Sequence, residues 1–392
     1  HGYKARIDTP RIDSGEIKPP SMPNRRRSPE EYAALKAEVE KQLKAGLLQR
    51  VRSPYNAMPL LVRKPDGWRV VLDFRQLNQY TIKDTYPLPN IEENLSLLGE
   101  ANLFTTCDLL QGFFQVELEE DSIHKTAFSS PFGQVAYARM PMGLTSSPSA
   151  FMRLVDAALQ GLPAGLALAF VDDVAIPTCG DMRQHMIDVG RVFDRLVEAG
   201  FRVKCSKVHI GKQEVRYLGF LVGKYGTRPD PAKLQALLDL TIEQVGHSPA
   251  AAARFAGMIG FYARFIPHLQ TILDPFHKLK IKGIDTAAIQ QSMRFKASFA
   301  ACRHALRNIT AMARPRSDRP YYLHCDTAVT GNVAMILSQR EDPDDPQSHR
   351  PLGFYSRRLS AEERGYPVRD QECLALVEAF RHWRPYLNGA EV

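Results

Sequence analysis

Leu166-Ala167-Leu168-Ala169-Phe170-Val171-Asp172-Asp173-Val174-Ala175-Ile176-Pro177 sets two apolar, strand-like runs on either side of a pair of adjacent carboxylates. Neighbouring side chains on a strand point to opposite faces. Two Asp serving one site therefore require a tight hairpin turn that lifts both out of a buried sheet. Like charges that close repel and lose water, a cost that a divalent cation relieves. Magnesium prefers oxygen ligands and binds through one or two carboxylates plus substrate phosphates. Turn chemistry alone accounts equally well for a solvated hairpin tip. The motif carries chemistry only with a third carboxylate and a phosphate-gripping neighbourhood.

Both are present upstream. Thr105-Thr106-Cys107-Asp108 reads as a strand delivering Asp108, and Gly112 permits close backbone approach just before Phe113 and Phe114. In a mixed sheet Asp108 can lie on a strand beside the 172–173 pair, giving three carboxylates for two-metal phosphoryl transfer. Pro59–Lys64 and Trp68–Phe74, joined by Pro65-Asp66-Gly67, form a hairpin signal whose shoulders carry Arg63, Lys64 and Arg69. Any exposed hairpin is decorated with charge. The functional alternative is a cationic finger over a triphosphate. Arg139 to Phe151 is a loop-to-helix junction in which Gly143 lets a base pair approach, and Pro148 opens a helix to about Leu159.

With 392 residues the chain should divide into two to four compact units. A net charge of +8 is compatible with a polyanionic partner. Six scattered Cys show neither zinc nor disulfide spacing, so reduced, intracellular thiols are expected. No apolar run approaches the ~18 residues of a membrane span. A charged start without an apolar core argues against a signal peptide, and a first residue of His reads as a processed product or fragment.

Residues 1–27 read as an extended, solvated lead-in. Ser28, Pro29 and Glu31 then make a capping box for a helix with Tyr32, Leu35, Val39 and Leu43 on one face, stopped at Gly46. His185 to Ala199 is expected as an amphipathic helix burying Met186, Val189, Phe193 and Leu196. Strands follow at 201–204 and 214–222, with Lys204 and Lys207 reading first as surface lysines. From about 230 the texture turns helical, with Phe255, Met258, Ile259, Tyr262 and Ile266 as a core stripe. Beyond a break at 314–320 come strands at 321–325, 332–338 and 353–356. A closing helix should bury Leu376, Phe380, Trp383 and Leu387.

Taken together, these residues resemble the reverse transcriptase region of a Pol polyprotein from gypsy-like LTR retrotransposons. The likeness is densest from Ser53 to Val222: Leu61-Val62-Arg63-Lys64-Pro65-Asp66-Gly67-Trp68-Arg69, Leu72-Asp73-Phe74-Arg75-Gln76-Leu77-Asn78, Tyr86-Pro87-Leu88-Pro89 and Lys125-Thr126-Ala127-Phe128. The resemblance implies an α+β polymerase right hand of fingers, palm and thumb, with a truncated ribonuclease H-like α/β domain at the C-terminus. Its divisions would be 1–27, an extended lead-in; 28–230, fingers and palm; 231–315, thumb and connection; 316–392, the incomplete ribonuclease H-like domain. It implies Asp108, Asp172 and Asp173 as metal-binding carboxylates for two magnesium ions, with manganese as an alternative, and Lys207 as proton donor to pyrophosphate. Lys64 and Arg69 would hold the incoming dNTP, Phe113 would gate the sugar, Gly143 would lie beside the nascent base pair, and Leu218 and Gly219 would grip the primer.

The tail resembles the opening half of the family's ribonuclease H domain, with Asp326 and Glu372 matching its first two carboxylates and the third expected past Val392. Ribonuclease H activity is accordingly not expected of this chain, and an unpaired sheet edge would favour aggregation. Phe170, Met142 and Gln111 stand where the family more often has Tyr, Phe and Ser. The expected function is RNA-directed DNA polymerisation on an RNA or DNA template with primer, in a cytoplasmic particle or the nucleus and without a membrane. The rivals are a decayed element copy that only binds nucleic acid and a metal-dependent phosphohydrolase.

Overall fold

The computed structural model describes residues 3–64, 67–98, 101–224, 226–279, 291–316, 318–328 and 331–392, and the side chains of Lys64 and Ala328 lie outside that description. Pro65 and Asp66 of the expected turn also lie outside it. The chain divides into two compact units, residues 1–94 with 104–211, and 95–103 with 212–392.

Strands of the first unit, in chain order, are β1 (Leu48–Arg50), β2 (Met58–Lys64), β3 (Gly67–Asp73), β4 (Leu103–Asp108), β5 (Phe128–Ser130), β6 (Gly133–Tyr137), β7 (Leu168–Phe170), β8 (Asp173–Thr178) and β9 (His209–Lys212). They form a β2-β3 hairpin, a β1-β6-β5 sheet and a central sheet ordered β7-β8-β4-β9. The order places β4 beside β8, so segments far apart in sequence meet at the sheet's centre. Ser28 and Glu31 make the expected reciprocal capping box for the helix Pro29–Lys44, with Leu35 and Val39 buried but Tyr32 half exposed.

Two expectations are corrected here. The start of the N-terminal segment is not solvated, whereas residues 13–27 are half-buried or exposed. Ala5, Ile7 and Ile12 belong to the core, and the buried Lys125 ammonium donates to Ile7 O at 2.8 Å and Asp13 Oδ2 at 3.0 Å. Apolar residues spaced through a charged stretch gave no helical or strand period, so their burial was not readable locally. In the helix Met182–Glu198 the buried face is His185, Asp188, Val189, Val192 and Leu196, while Met186 is 48% exposed. Polar groups take the inner positions because hydroxyls opposite satisfy them.

The second unit opens with an antiparallel sheet of β10 (Glu214–Tyr217), β11 (Phe220–Gly223) and β12 (Gly226–Pro229). Leu218 and Gly219 form its two-residue turn with φ of +50° and +89°, the pattern of a type I′ hairpin. Helices Pro249–Gly260, Leu269–Lys278 and Met293–Arg307 follow, joined through the ring contacts of Phe255, Phe276, Phe295 and Phe299. Phe255, Ile259, Tyr262 and Ile266 are buried, as their spacing predicts.

The last sheet, β13 (Tyr322–Ala328), β14 (Asn332–Arg340) and β15 (His349–Arg358), is antiparallel and covers the three strands read from sequence. Its helix, Val368–His382, corrects the predicted stripe: Ala375, Ala379 and Trp383 are buried, whereas Leu376 and Phe380 are 45% and 43% exposed. Two alanines one helical turn apart let the helix lie close to the sheet, which turns the larger side chains outward.

Candidate active site

The expected hairpin forms, but only Asp172 of the carboxylate pair lies in its turn, and Asp173 is the first residue of β8. Phe170 faces Asp173 across the β7-β8 ladder, leaving Val171 and Asp172 as the two-residue turn. Val171 carries φ +56°, a strained conformation for a β-branched residue. Two donors hold it there: Val171 N reaches Met152 Sδ at 3.0 Å, and Leu109 N reaches Asp172 O at 2.8 Å. The second bond ties the residue after Asp108 directly to the hairpin tip. On the other side Gly112 lies so near that a Cβ there would be 3.3 Å from Asp172 Cβ and 3.3 Å from Phe151 Cζ.

The charges of all three carboxylates act on Lys207. Lys207 pairs with Asp108 Oδ2, and that bond, with the charges of Asp108, Asp173 and Asp172, holds its ammonium above the ordinary lysine pKa. Burial pushes the Cys107 thiol up to about 12, and the charges of Asp108 and Asp173 add to it. Asp108, Asp172 and Lys207 open onto one cleft of about 690 Å³, together with Arg69, Gln111 and Lys204. A closed three-carboxylate cage is not formed by the side chains as they stand: among the described residues no three His, Cys, Asp or Glu are grouped to hold a metal. Asp108 is paired with Lys207, and Asp173 is not among the residues lining the cleft. The donor set still suits a hard cation that takes one or two carboxylates and completes its shell from phosphates and water.

The remaining predicted residues fall around this cleft. Arg69, opposite Val62 on the finger hairpin, has its guanidinium against Met142 Sδ. Gly143, at φ +98°, backs onto Leu72 O and Phe74. Phe113 is half-buried and edge-on to Phe151 at 5.6 Å, outside the cleft lining. Asp326 and Glu372 are exposed, on β13 and on the helix Val368–His382.

Sequence reasoning missed two contributors. Asn78 brackets the Gly143 loop, donating to Gly143 O at 2.9 Å and accepting from Thr145 N at 2.9 Å. Its place at the end of the Leu72–Asn78 motif was the available signal. Gln111, on the cleft wall, adopts φ +51°, which no local pattern foretold.

Residues 62–222 match the family model "Reverse transcriptase (RNA-dependent DNA polymerase)", and residues 294–392 match "RNase H-like domain found in reverse transcriptase". The chain therefore carries a reverse transcriptase domain followed by an RNase H-like domain found in reverse transcriptases. Over most of its length it is similar to the Pol polyproteins of gypsy-like retrotransposons. It is 33% identical over 364 residues to the retrovirus-related Pol polyprotein from transposon 297 of Drosophila melanogaster, covering 90% of this chain and 33% of that protein. It is 32% identical to those from transposons opus and gypsy of the same organism, covering 91% and 90% of this chain and 36% and 34% of theirs. The chain thus spans about a third of the length of these relatives.

Among solved structures, the foamy viral protease-reverse transcriptase dRH in complex with double-stranded DNA superposes with a TM-score of 0.81 at 20% identity, over 94% of this chain and 63% of that one. The same enzyme with an RNA/DNA hybrid gives 0.78 at 20% identity, over 93% and 48%. These likenesses show the fold. Among the described residues no helix is long and apolar enough to cross a membrane.

Proposed function

We propose that this chain is an RNA-directed DNA polymerase that extends a primer on an RNA or DNA template. The observation that carries the reading is the strained hairpin tip that sets Asp172 beside the Asp108 strand, in a cleft shared with Arg69 and Lys207. The reverse transcriptase domain match and the nucleic-acid complexes of the fold neighbours support it. Asp108, Asp172 and Asp173 would hold two divalent cations, magnesium or manganese, which when bound acidify the primer 3′ hydroxyl and offset charge on the pyrophosphate.

The chain's own residues do the rest. Arg69, with Lys64 on the same hairpin, grips the triphosphate of the incoming dNTP. Phe113 bars a ribose hydroxyl by bulk, and Gly143 lets the nascent base pair lie against backbone. As the 3′ oxygen bonds to the α phosphorus and the bond to pyrophosphate breaks, Lys207 Nζ gives a proton to the departing oxygen. Duplex contacts run mainly through phosphates, so affinity falls steeply with salt. Leu218 and Gly219 would steady the primer, and Asp326 with Glu372 would be cation-holding carboxylates of the RNase H-like domain.

The test is primer extension on poly-rA/oligo-dT with magnesium, comparing the intact chain with Asp172→Asn. Metal-dependent incorporation that Asp172→Asn abolishes is expected. No incorporation, or equal incorporation by both, rejects the proposal.

A further inference from the structure

Behind the cleft, His185 is fully buried with both ring nitrogens engaged: Nε2 is 2.7 Å from Thr105 Oγ1 and Nδ1 is 2.9 Å from Thr178 Oγ1. Thr178 in turn donates to Asp188 Oδ2 at 2.9 Å, and Gly211 N donates to Thr105 Oγ1 at 3.2 Å. The direction of every proton follows. A carboxylate only accepts, so the single hydroxyl proton of Thr178 goes to Asp188, and His185 Nδ1 must be the donor to Thr178. Neutral imidazole then offers Nε2 as acceptor, and Thr105 gives its proton there while accepting from Gly211 N–H. Burial lowers the His185 pKa against the opposing pull of Asp188, consistent with the neutral ring. The run is Gly211 N–H to Thr105 to His185 to Thr178 to Asp188, and Asp188 also accepts from Gln184 Nε2 at 2.9 Å.

Thr105 and Asp108 are on the same strand, β4. Lys204 N donates to Asp108 O at 2.9 Å, so the segment between Lys204 and Gly211 leaves β4 at Asp108 and is returned to it at Thr105. Lys207 lies in that segment, in the short 3-10 turn Cys205–Lys207, and reaches back onto Asp108. One end of the loop is held by the Lys204–Asp108 backbone bond. At the other end β9 joins β4 in the central sheet, and the Thr105 hydroxyl, which His185 keeps aimed, adds its bond from Gly211 N.

We infer that His185 and Thr105 are positioning residues for Lys207, stapling the far end of its loop so that the ammonium stays at the carboxylate site. The inference rests on the role proposed above for Lys207. It predicts that Thr105→Val, which keeps the shape and removes the hydroxyl, slows single-turnover nucleotide incorporation by about tenfold. Apparent Kd for dNTP should change by less than about twofold, since the triphosphate grip is elsewhere. Thr105→Ser should restore the rate, and His185→Leu should behave as Thr105→Val. Hydrogen exchange at the Gly211 amide should speed about tenfold in Thr105→Val.

A double-mutant cycle separates positioning from general softening. Lys207→Met should itself slow incorporation by about 10²-fold, and adding Thr105→Val should then cost nothing further. The inference is overturned if Thr105→Val costs the same factor in both backgrounds, if it leaves the rate unchanged, or if Gly211 exchange does not move. If Lys207→Met incorporates at the full rate, the role of Lys207 falls, and the staple's bearing on the rate falls with it. Should Thr105→Val or His185→Leu fail to fold, Thr105→Ser carries the test: it should leave Gly211 protection intact, and faster exchange there counts against the staple.

Discussion

Gly112→Ala perturbs the site through one methyl group. The added Cβ would stand 3.3 Å from Phe151 Cζ and 3.3 Å from Asp172 Cβ, whereas carbon atoms rest at about 3.5–4.0 Å. Relief requires a shift of about half an ångström on one side. Phe151 cannot supply it: the ring is fully buried and held edge-on by Phe113 at 5.6 Å and Phe201 at 5.7 Å. The yielding side is therefore the exposed hairpin tip, and Asp172 moves. Overpacking of this kind costs about 1–3 kcal/mol, or a fall in Tm of about 2–4 °C per kcal/mol for a unit of this size. A 1 Å misplacement at a reacting centre can cost about 10²-fold, so half of that should cost about tenfold. Single-turnover incorporation with magnesium, read beside thermal melting, measures both. A Gly112→Ala chain that melts lower yet incorporates at the full rate refutes the claim that the position of Asp172 sets the rate.

Phe113→Val should admit ribonucleotides, raising their incorporation relative to deoxynucleotides by at least about tenfold, about the 1–3 kcal/mol of one steric contact; unchanged selectivity in a competition assay rejects the gate. Asp13→Ala leaves the buried Lys125 ammonium with Ile7 O as its partner and should cost about 2–3 kcal/mol in urea unfolding. A loss below about 0.5 kcal/mol would mean the N-terminal segment is not anchored by this pair. Glu363 is held down to about 2 chiefly by hydrogen bonding from Arg357, with help from the Ser360 backbone. Because the folded value is depressed, this stabilisation is complete above about pH 4.5 and is lost as pH falls through about 2. The stability gap between the natural chain and Glu363→Gln should therefore close across that window, and a gap independent of pH contradicts the assignment.

What was legible in the sequence was what local chemistry decides. The Ser28–Glu31 box, the paired finger strands and the hairpin of β7 and β8 each depend on residues within a few positions of one another and formed as read, although only Asp172 of the carboxylate pair lies in the turn and Asp173 opens β8. Asp108 had no local mark as a partner of Asp172; only the pairing of distant strands joins them, and that was foreseen through resemblance and sheet logic. Packing across long separations defeated pattern reading. Ile7 and Ile12 join a core most of whose other members lie far along the chain. Ala375 and Ala379 displaced the larger Leu376 and Phe380 because closeness to the sheet outweighed side-chain size.

His185 shows the same limit more sharply. A His on an amphipathic helix reads as a surface residue until two hydroxyls from strands of the central sheet engage both of its ring nitrogens. Lys207 is equally plain in sequence, since its site is created by anchors at both ends of its loop. Val171 completes the argument. A β-branched residue at positive φ costs roughly 1–3 kcal/mol, and two hydrogen bonds to its turn, from Val171 N and to Asp172 O, offset it at about 1 kcal/mol each. The turn is thus near energetic balance and held from outside, so the geometry of the acidic tip depends on Met152 and Leu109 as much as on the turn itself.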